Sequence, residues 1–186
     1  MANDSSTGGF LPGTDVLALA DDALDDLLQA TVAGITGLDG SLVRPRWQPV
    51  VPKQPEPGID WCAIGITQFS PMDYPSEVHD GTGDGSTTLT HWEEFTLLAS
   101  LYGPHGNGNA RRLRDGLYLT QNREAIAAQG IDLVSVDQIL AVPDLVNEQW
   151  VKRYDVPIRM RASAVRLYPI LNLLSADETI VTDNHP

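Results

Sequence analysis

The chain has 186 residues, of which 42% are apolar and 20% charged, a composition typical of a globular protein rather than a disordered one. Twelve basic against twenty-five acidic side chains give a net charge of −13, which argues against a nucleic-acid groove or a binder of anionic membranes. The single cysteine excludes an intramolecular disulfide, and no apolar run is long enough to cross a membrane. We expect one soluble domain over residues 1–186.

An acidic amphipathic helix is predicted at residues 14–37. Thr14 is a suitable N-cap, and Gly37 ends an apolar pattern that recurs every three or four residues through Leu24, Leu27 and Ile35. The outward face of this helix carries four aspartates, Asp21, Asp22, Asp25 and Asp26.

Two long antiparallel strands are predicted in the middle of the chain. Residues 44–58 contain five prolines, which lack the donor that a central strand needs, and are predicted to form an extended proline-rich arm or edge. Residues 59–69 are apolar on both faces and residues 89–102 alternate, so each predicts a strand. The stretch between them, residues 70–87, is rich in glycine and acidic side chains and predicts a flexible hairpin loop.

The second half of the chain predicts a helix from Ala110, continued as far as Gly130, and then a short strand at 131–136. Residues 150–162 alternate and predict a strand with one apolar face and one face that carries Arg153, Arg159 and Arg161. Residues 176–186 lack periodicity and are predicted to be a C-terminal tail. The order of elements predicts an α+β fold, with long strands in a mostly antiparallel sheet and helices packed on one side.

The residue patterns that could support catalysis are all incomplete. The glycine-rich segment 80–85 lacks the closing glutamate of a calcium loop, and the loop at 103–112 lacks the lysine of a phosphate-binding loop. His91 and Glu93 share one face of a predicted strand as an isolated pair, and Cys62 lies in the most apolar strand. We therefore predict a protein that is not an enzyme and has no catalytic, cofactor-binding or metal-binding residues. An enzyme that uses the histidine pair or the 103–110 loop is the alternative.

Four ordered stretches carry a family resemblance. They are WQPVVPKQPEPGIDWCAIGIT (47–67), HWEEFTLLASLYGP (91–104), LRDGLYLTQNREAI (113–126) and LVNEQWVKRYDVPIRMR (145–161). They resemble the neck or tail terminator family of tailed bacteriophages, and the similarity spans roughly residues 40–175, most of the chain.

The resemblance implies a structural α+β protein of the virion, assembled in the host cytoplasm, that forms a homo-oligomeric ring, usually a hexamer. Such a ring caps the tail and contacts tail tube or sheath proteins on one side and head–tail connector proteins on the other. DNA would pass through its lumen without specific binding, and no membrane is involved. A head-completion adaptor or a minor tail protein of the same particle is the alternative structural role.

Segregated charge supports a contact between unlike surfaces of two subunits. Three arginines on one face of the 150–162 strand repel one another, so we expect an acidic counter-surface on the same subunit or on a neighbour. The first helix and the acidic hairpin loop predicted at residues 70–87 are the candidates for that surface. The predicted interface residues are Arg153, Arg159, Arg161, Asp21, Asp22, Asp25 and Asp26.

Overall fold

A computed structural model describes residues 3–17, 20–50, 52–146 and 148–173. Within them lie three α-helices, α1 (Asp21–Thr36), α2 (Gly106–Leu117) and α3 (Thr120–Ala127), and a 3-10 turn at Gly40–Leu42. The strands are β1 (Thr14–Leu17), β2 (Val43–Pro45), β3 (Trp61–Pro71), β4 (Ser76–Asp80), β5 (Ser86–Tyr102), β6 (Ile131–Val136), β7 (Leu140–Ala141), β8 (Asp144–Val146), β9 (Gln149–Val151) and β10 (Arg153–Tyr168).

The main sheet is mixed but mostly antiparallel, with the order β1-β10-β5-β3-β2. Strand β4 extends the β3 side by pairing with β5, while β6 and β7 pair with β10 on the β1 side. Only the pairing of β2 with β3 is parallel among the described strands, and β8 and β9 form a separate hairpin. The predicted α+β class with long antiparallel strands is confirmed.

Strands β5 and β10 lie at the centre of the sheet and pair along their length, and we call this pair the central ribbon. Its register runs without a shift from Arg153 opposite Tyr102 to Tyr168 opposite Thr87. At roughly 3.3 Å per residue, the sixteen paired positions span about 50 Å. The two ends of the ribbon are therefore far apart in one subunit.

The hydrophobic core lies between the three helices and one face of the sheet. Every second residue of β5 and β10 points into it, as the alternation of both strands predicts. The fully buried side chains of these strands are Phe95, Leu97, Ala99, Leu101, Ile158 and Met160, and those of the helices include Leu28, Val32, Leu113 and Leu117. None of the helices in the described ranges is long and apolar enough to span a membrane.

The first helix starts later than predicted. Residues Thr14–Leu17 form β1, because Arg166 of β10 pairs with Asp15 in the sheet and its Nε donates to the Asp15 carboxylate at 2.9 Å. Helix α1 ends as predicted, where Gly37 adopts a φ of 76°. Its inward stripe is also rotated from the predicted one, since its most buried side chains follow an i, i+4 spacing: Leu24, Leu28, Val32 and Thr36.

The predicted flexible loop at 70–87 is largely ordered strand. Residues Ser76–Asp80 form β4, which pairs antiparallel with the start of β5 and makes a hairpin with it. All five β4 side chains are exposed, so no apolar pattern marked the strand; its backbone pairing with β5 forms it. We call residues 72–85 the acidic hairpin.

Three further predictions have different outcomes. The proline-rich arm at 44–58 forms sheet only at its start, where Val43–Pro45 pair with the edge of β3. The strand predicted at 150–162 is divided at Lys152 into β9 and β10, and Trp150 is exposed rather than inward. The predicted tail at 176–186 lies outside the described residues.

Candidate assembly surface

The pair of His91 and Glu93 lies on the central ribbon, where both residues point to the helix side. The His91 Nε2 atom lies 2.8 Å from the backbone oxygen of Met72, and no hydrogen bond joins His91 to Glu93. Among the described residues, no group of three His, Cys, Asp or Glu side chains is arranged to hold a metal ion. The pair therefore lacks the third group that a catalytic triad or a metal site requires.

The loop before α2 already holds a carboxylate where a phosphate would bind. The Asp60 carboxylate accepts a hydrogen bond from the backbone N–H of His105 at 2.8 Å, and its second oxygen lies 2.8 Å from His105 Nδ1. A phosphate at this helix N-terminus would meet that negative charge. The geometry favours a structural role for the 103–110 loop.

Cys62 is fully buried on the helix side of β3. Burial raises the pKa of its thiol to about 12, so the thiolate that a nucleophile requires is not formed near neutral pH.

The other face of the sheet is covered by none of the described helices, and we call it the open face. Strand alternation places the three predicted arginines there, since the residues between them on β10 point into the core. This part of the prediction agrees with the structure, whereas the role of the arginines in an interface stays a prediction.

Arg153 is the most constrained of the three arginines. Its Nε and Nη2 atoms both donate to the carboxylate of Asp155, each at 2.8 Å, and its Nη1 lies 3.8 Å from Asp144 Oδ2. This hydrogen bonding to Asp155 raises the pKa of the Arg153 guanidinium.

Arg159 and Arg161 pair with β6, the neighbouring strand. Arg159 Nε donates to Ser135 Oγ at 3.0 Å and lies 3.8 Å from Asp137, while Arg161 Nη2 lies 3.6 Å from Asp132. The side chains of Arg159 and Arg161 remain 49% and 41% exposed, so these pairs are weak.

Within the subunit, the acidic counter-surface is not the first helix. The carboxylates that face the arginines lie on β6, directly after it, and on β8 and β10, whereas α1 packs on the opposite side of the sheet. A contact with the acidic residues of a neighbouring subunit stays a prediction. The acidic face of α1 has no cation within 4 Å in the described chain. Burial, and then repulsion from Asp22 and Asp26, raise the pKa of Asp25.

A buried polar cluster joins three strands under the open face. The Ser100 hydroxyl donates to Asp155 and accepts from Arg46, while Asp155 also holds Arg153. The Arg46 Nε atom is buried without a hydrogen-bond partner. The sequence did not reveal this cluster, because the contact between Ser100 and Asp155 depends on the register between β5 and β10.

Aromatic side chains line the open face at the same end. The rings of Trp61 and Tyr102 stack with centroids 4.3 Å apart, and the guanidinium of Arg153 lies 5.9 Å from the Tyr102 centroid. Trp47 lies over Gly65, where a Cβ atom would come within 2.7 Å of the indole. These side chains form a groove of about 480 Å³, the aromatic groove, lined chiefly by Arg44, Arg46, Trp47, Trp61, Tyr102 and Asp144.

The acidic hairpin is held at its tip by Asn172. The Asn172 side-chain amide donates to the backbone oxygens of Gly81 and Gly83 at 2.9 and 3.1 Å, and its Oδ1 lies 2.8 Å from His79 Nε2. The opposite ring nitrogen of His79 lies 2.9 Å from Thr87 Oγ1. The tip of the hairpin is thus joined by hydrogen bonds to the segment that follows β10.

The amino-acid sequence matches a known protein family. A family model described as phage neck terminator protein matches residues 22–184, which is most of the chain and includes both strands of the ribbon. A search among curated proteins found no match. The chain belongs to the family of phage neck terminator proteins, structural components of the virion.

Proposed function

We propose that this chain forms a closed ring that caps the phage tail and joins it to the head connector. The match to the neck terminator family over residues 22–184 carries the proposal. A ring requires each subunit to present two different surfaces, one to each neighbour. The open face of the sheet and the acidic hairpin at its β4 edge are two such surfaces.

The composition of the open face supports its use as an interface. Protein interfaces are enriched in Trp, Tyr and Arg, and their most important residues combine an aromatic anchor with a charged side chain. The open face carries Trp92, 42% exposed and with the guanidinium of Arg161 5.4 Å from its centroid, and Trp47, which lies over Gly65 and is 72% exposed. A protein acting alone gains little from such groups at its surface.

The charge of the chain suits a ring around DNA. With a net charge of −13, the ring would carry strong negative charge and would offer few of the cation–phosphate contacts that retain a duplex. We propose that DNA passes through the lumen without specific binding. Binding of a duplex oligonucleotide at low ionic strength, measured by fluorescence anisotropy, tests this point, and tight binding with a steep salt dependence would contradict it.

The ring itself is tested by native mass spectrometry and by cryo-electron microscopy of the neck in intact particles. We expect one closed ring of this chain, a hexamer, between the tail and the head connector. A single copy in the neck would refute the ring, and a ring located elsewhere in the particle would favour the adaptor or minor tail protein.

The role of the arginines is tested by two matched variants. Replacing Arg159 and Arg161 by glutamate should leave the subunit folded and weaken assembly. In the matched control, Asp132 and Asp137 are also replaced by arginine, which restores both ion pairs with reversed polarity. If assembly stays blocked in the control, the arginines contact a neighbour; if it recovers, they act only within the subunit.

A further inference from the structure

We propose that the acidic hairpin of one subunit docks into the aromatic groove of the next copy of this chain. The inference rests on the proposed ring and specifies which two surfaces meet within it. It is carried by the charges of the two surfaces, by their exposed aromatic side chains and by their separation in one subunit.

Within the described residues, the groove carries more positive than negative charge. Arg44 donates to the backbone oxygens of Ser41 and Lys53, and Arg46 donates to the Ser100 hydroxyl. With Arg153 behind the groove, three guanidinium groups face two carboxylates, those of Asp144 and Asp155. A partner that brings a further carboxylate would balance this charge.

The acidic hairpin supplies the complementary charge. It contains four acidic side chains and no basic one, and none of the four has a cation within 4 Å in the described chain: Asp73, Glu77, Asp80 and Asp84. Unlike the aspartates of α1, they lie on β4 and its flanking turns, at an edge of the sheet where all five β4 side chains are exposed.

The hairpin also presents an aromatic anchor. Tyr74 lies at the bend between β3 and β4, where a φ of 69° is uncommon for a bulky residue, and its side chain is 95% exposed. Val78 and Met72 next to it are exposed as well. A groove of about 480 Å³ lies in the size range of roughly 300–1,000 Å³ that is typical of binding pockets.

The two surfaces cannot meet within one subunit. Glu77 pairs with Leu89, thirteen residues before Tyr102 on the same strand, so the hairpin and the groove lie about 40 Å apart along a continuous ribbon. The Asn172 contacts hold the hairpin against this ribbon. A contact between them is therefore head-to-tail, and repetition of such a contact builds a ring when the rotation between neighbours closes.

Reversal of charge on each surface tests the contact. Glu77→Lys and Arg44→Glu should each weaken self-association of the full chain by at least about tenfold, because each places like charges together. The double variant should recover part of that loss. Glu124→Lys, which changes an exposed glutamate of α3, is the matched control and should leave self-association unchanged. Sedimentation velocity up to about 1 mM protein covers weak contacts.

Disulfide cross-linking gives an independent measurement that does not depend on affinity changes. A Ser76→Cys variant mixed with a Gln54→Cys variant should form a mixed dimer, and one chain with both substitutions should form a ladder of linked subunits. Cys62 is buried and does not compete. Oligomers that form without these cross-links, and that tolerate both charge reversals, would overturn the inference and leave the proposed ring intact. A chain that stays monomeric throughout, without cross-links, would overturn the inference and count against the ring as well.

Discussion

Replacing Asp155 by alanine should destabilise the subunit by about 3 kcal/mol. The Asp155 carboxylate accepts two hydrogen bonds from Arg153 and one from Ser100, and its side chain is only 10% exposed. Its removal leaves the Arg153 guanidinium with the more distant carboxylate of Asp144, at 3.8 Å, and breaking a buried ion pair in this way costs about 3–5 kcal/mol. The lower end applies, because Arg153 remains 21% exposed and water can hydrate it partly.

Asp137→Ala provides the matched control. Asp137 also pairs with an arginine of β10, but the distance is 3.8 Å and both side chains are 49% exposed. Its loss should cost about 1 kcal/mol or less. Urea unfolding of the isolated subunit, followed by tryptophan fluorescence, measures both variants. In a thermal melt, the loss of about 3 kcal/mol corresponds to a decrease in Tm of about 6–12 °C. Equal costs for the two variants would refute the assignment of the Asp155 cluster as a buried structural centre.

Four further predictions concern the hairpin, the first helix, the 3-10 turn that Asp39 caps, and the thiol. Asn172→Ala removes the side-chain hydrogen bonds at the hairpin tip, so amide hydrogen exchange should become faster at residues 79–87 and remain unchanged in β3. Asp25→Asn should stabilise the subunit near neutral pH by roughly 0.2–0.5 kcal/mol for each like-charge pair that it removes. The folded-state pKa of Asp25 is raised above 3.8, so ionised Asp25 destabilises the fold above its folded-state pKa, and this destabilisation disappears below pH 3.8. Urea denaturation near neutral pH and below pH 3.8 should therefore show the gain in stability only near neutral pH. Asp39→Asn should lower the stability of the fold near neutral pH, because hydrogen bonds from Ser41 lower the pKa of Asp39 and its ionised form stabilises the fold. Cys62 should react with a thiol reagent only as fast as the protein unfolds, and rapid reaction of the folded chain would contradict its burial.

The core was predictable from the sequence, because periodicity reports which side of an element is buried. The alternation of β5 and β10 identified their apolar faces, and it placed Arg159 and Arg161 on the opposite side. It could not identify their partners, because a period of two says nothing about which strand lies next in the sheet. The neighbour is β6, so within the subunit the arginines face Asp132 of that strand and Asp137 directly after it rather than the aspartates of α1.

The missed strands share one physical cause. Strand β4 has only exposed side chains and β1 is four residues long, so neither carries an apolar signal that a sequence pattern could detect. Both form because a distant segment supplies backbone partners: Arg166 for β1, and the start of β5 together with Asn172 for the hairpin. Tertiary pairing outweighs local propensity at such short edges.

The position of β10 has a consequence for how the protein is made. Strand β10 lies between β5 on one side and β1, β6 and β7 on the other, yet of the described strands it is the last to leave the ribosome. Until β10 is synthesised, β1, β6 and β7 lack their partner strand and one edge of β5 is unpaired. The sheet is therefore completed only after residues 153–168 have been translated, and the long separation between paired residues makes that step slow.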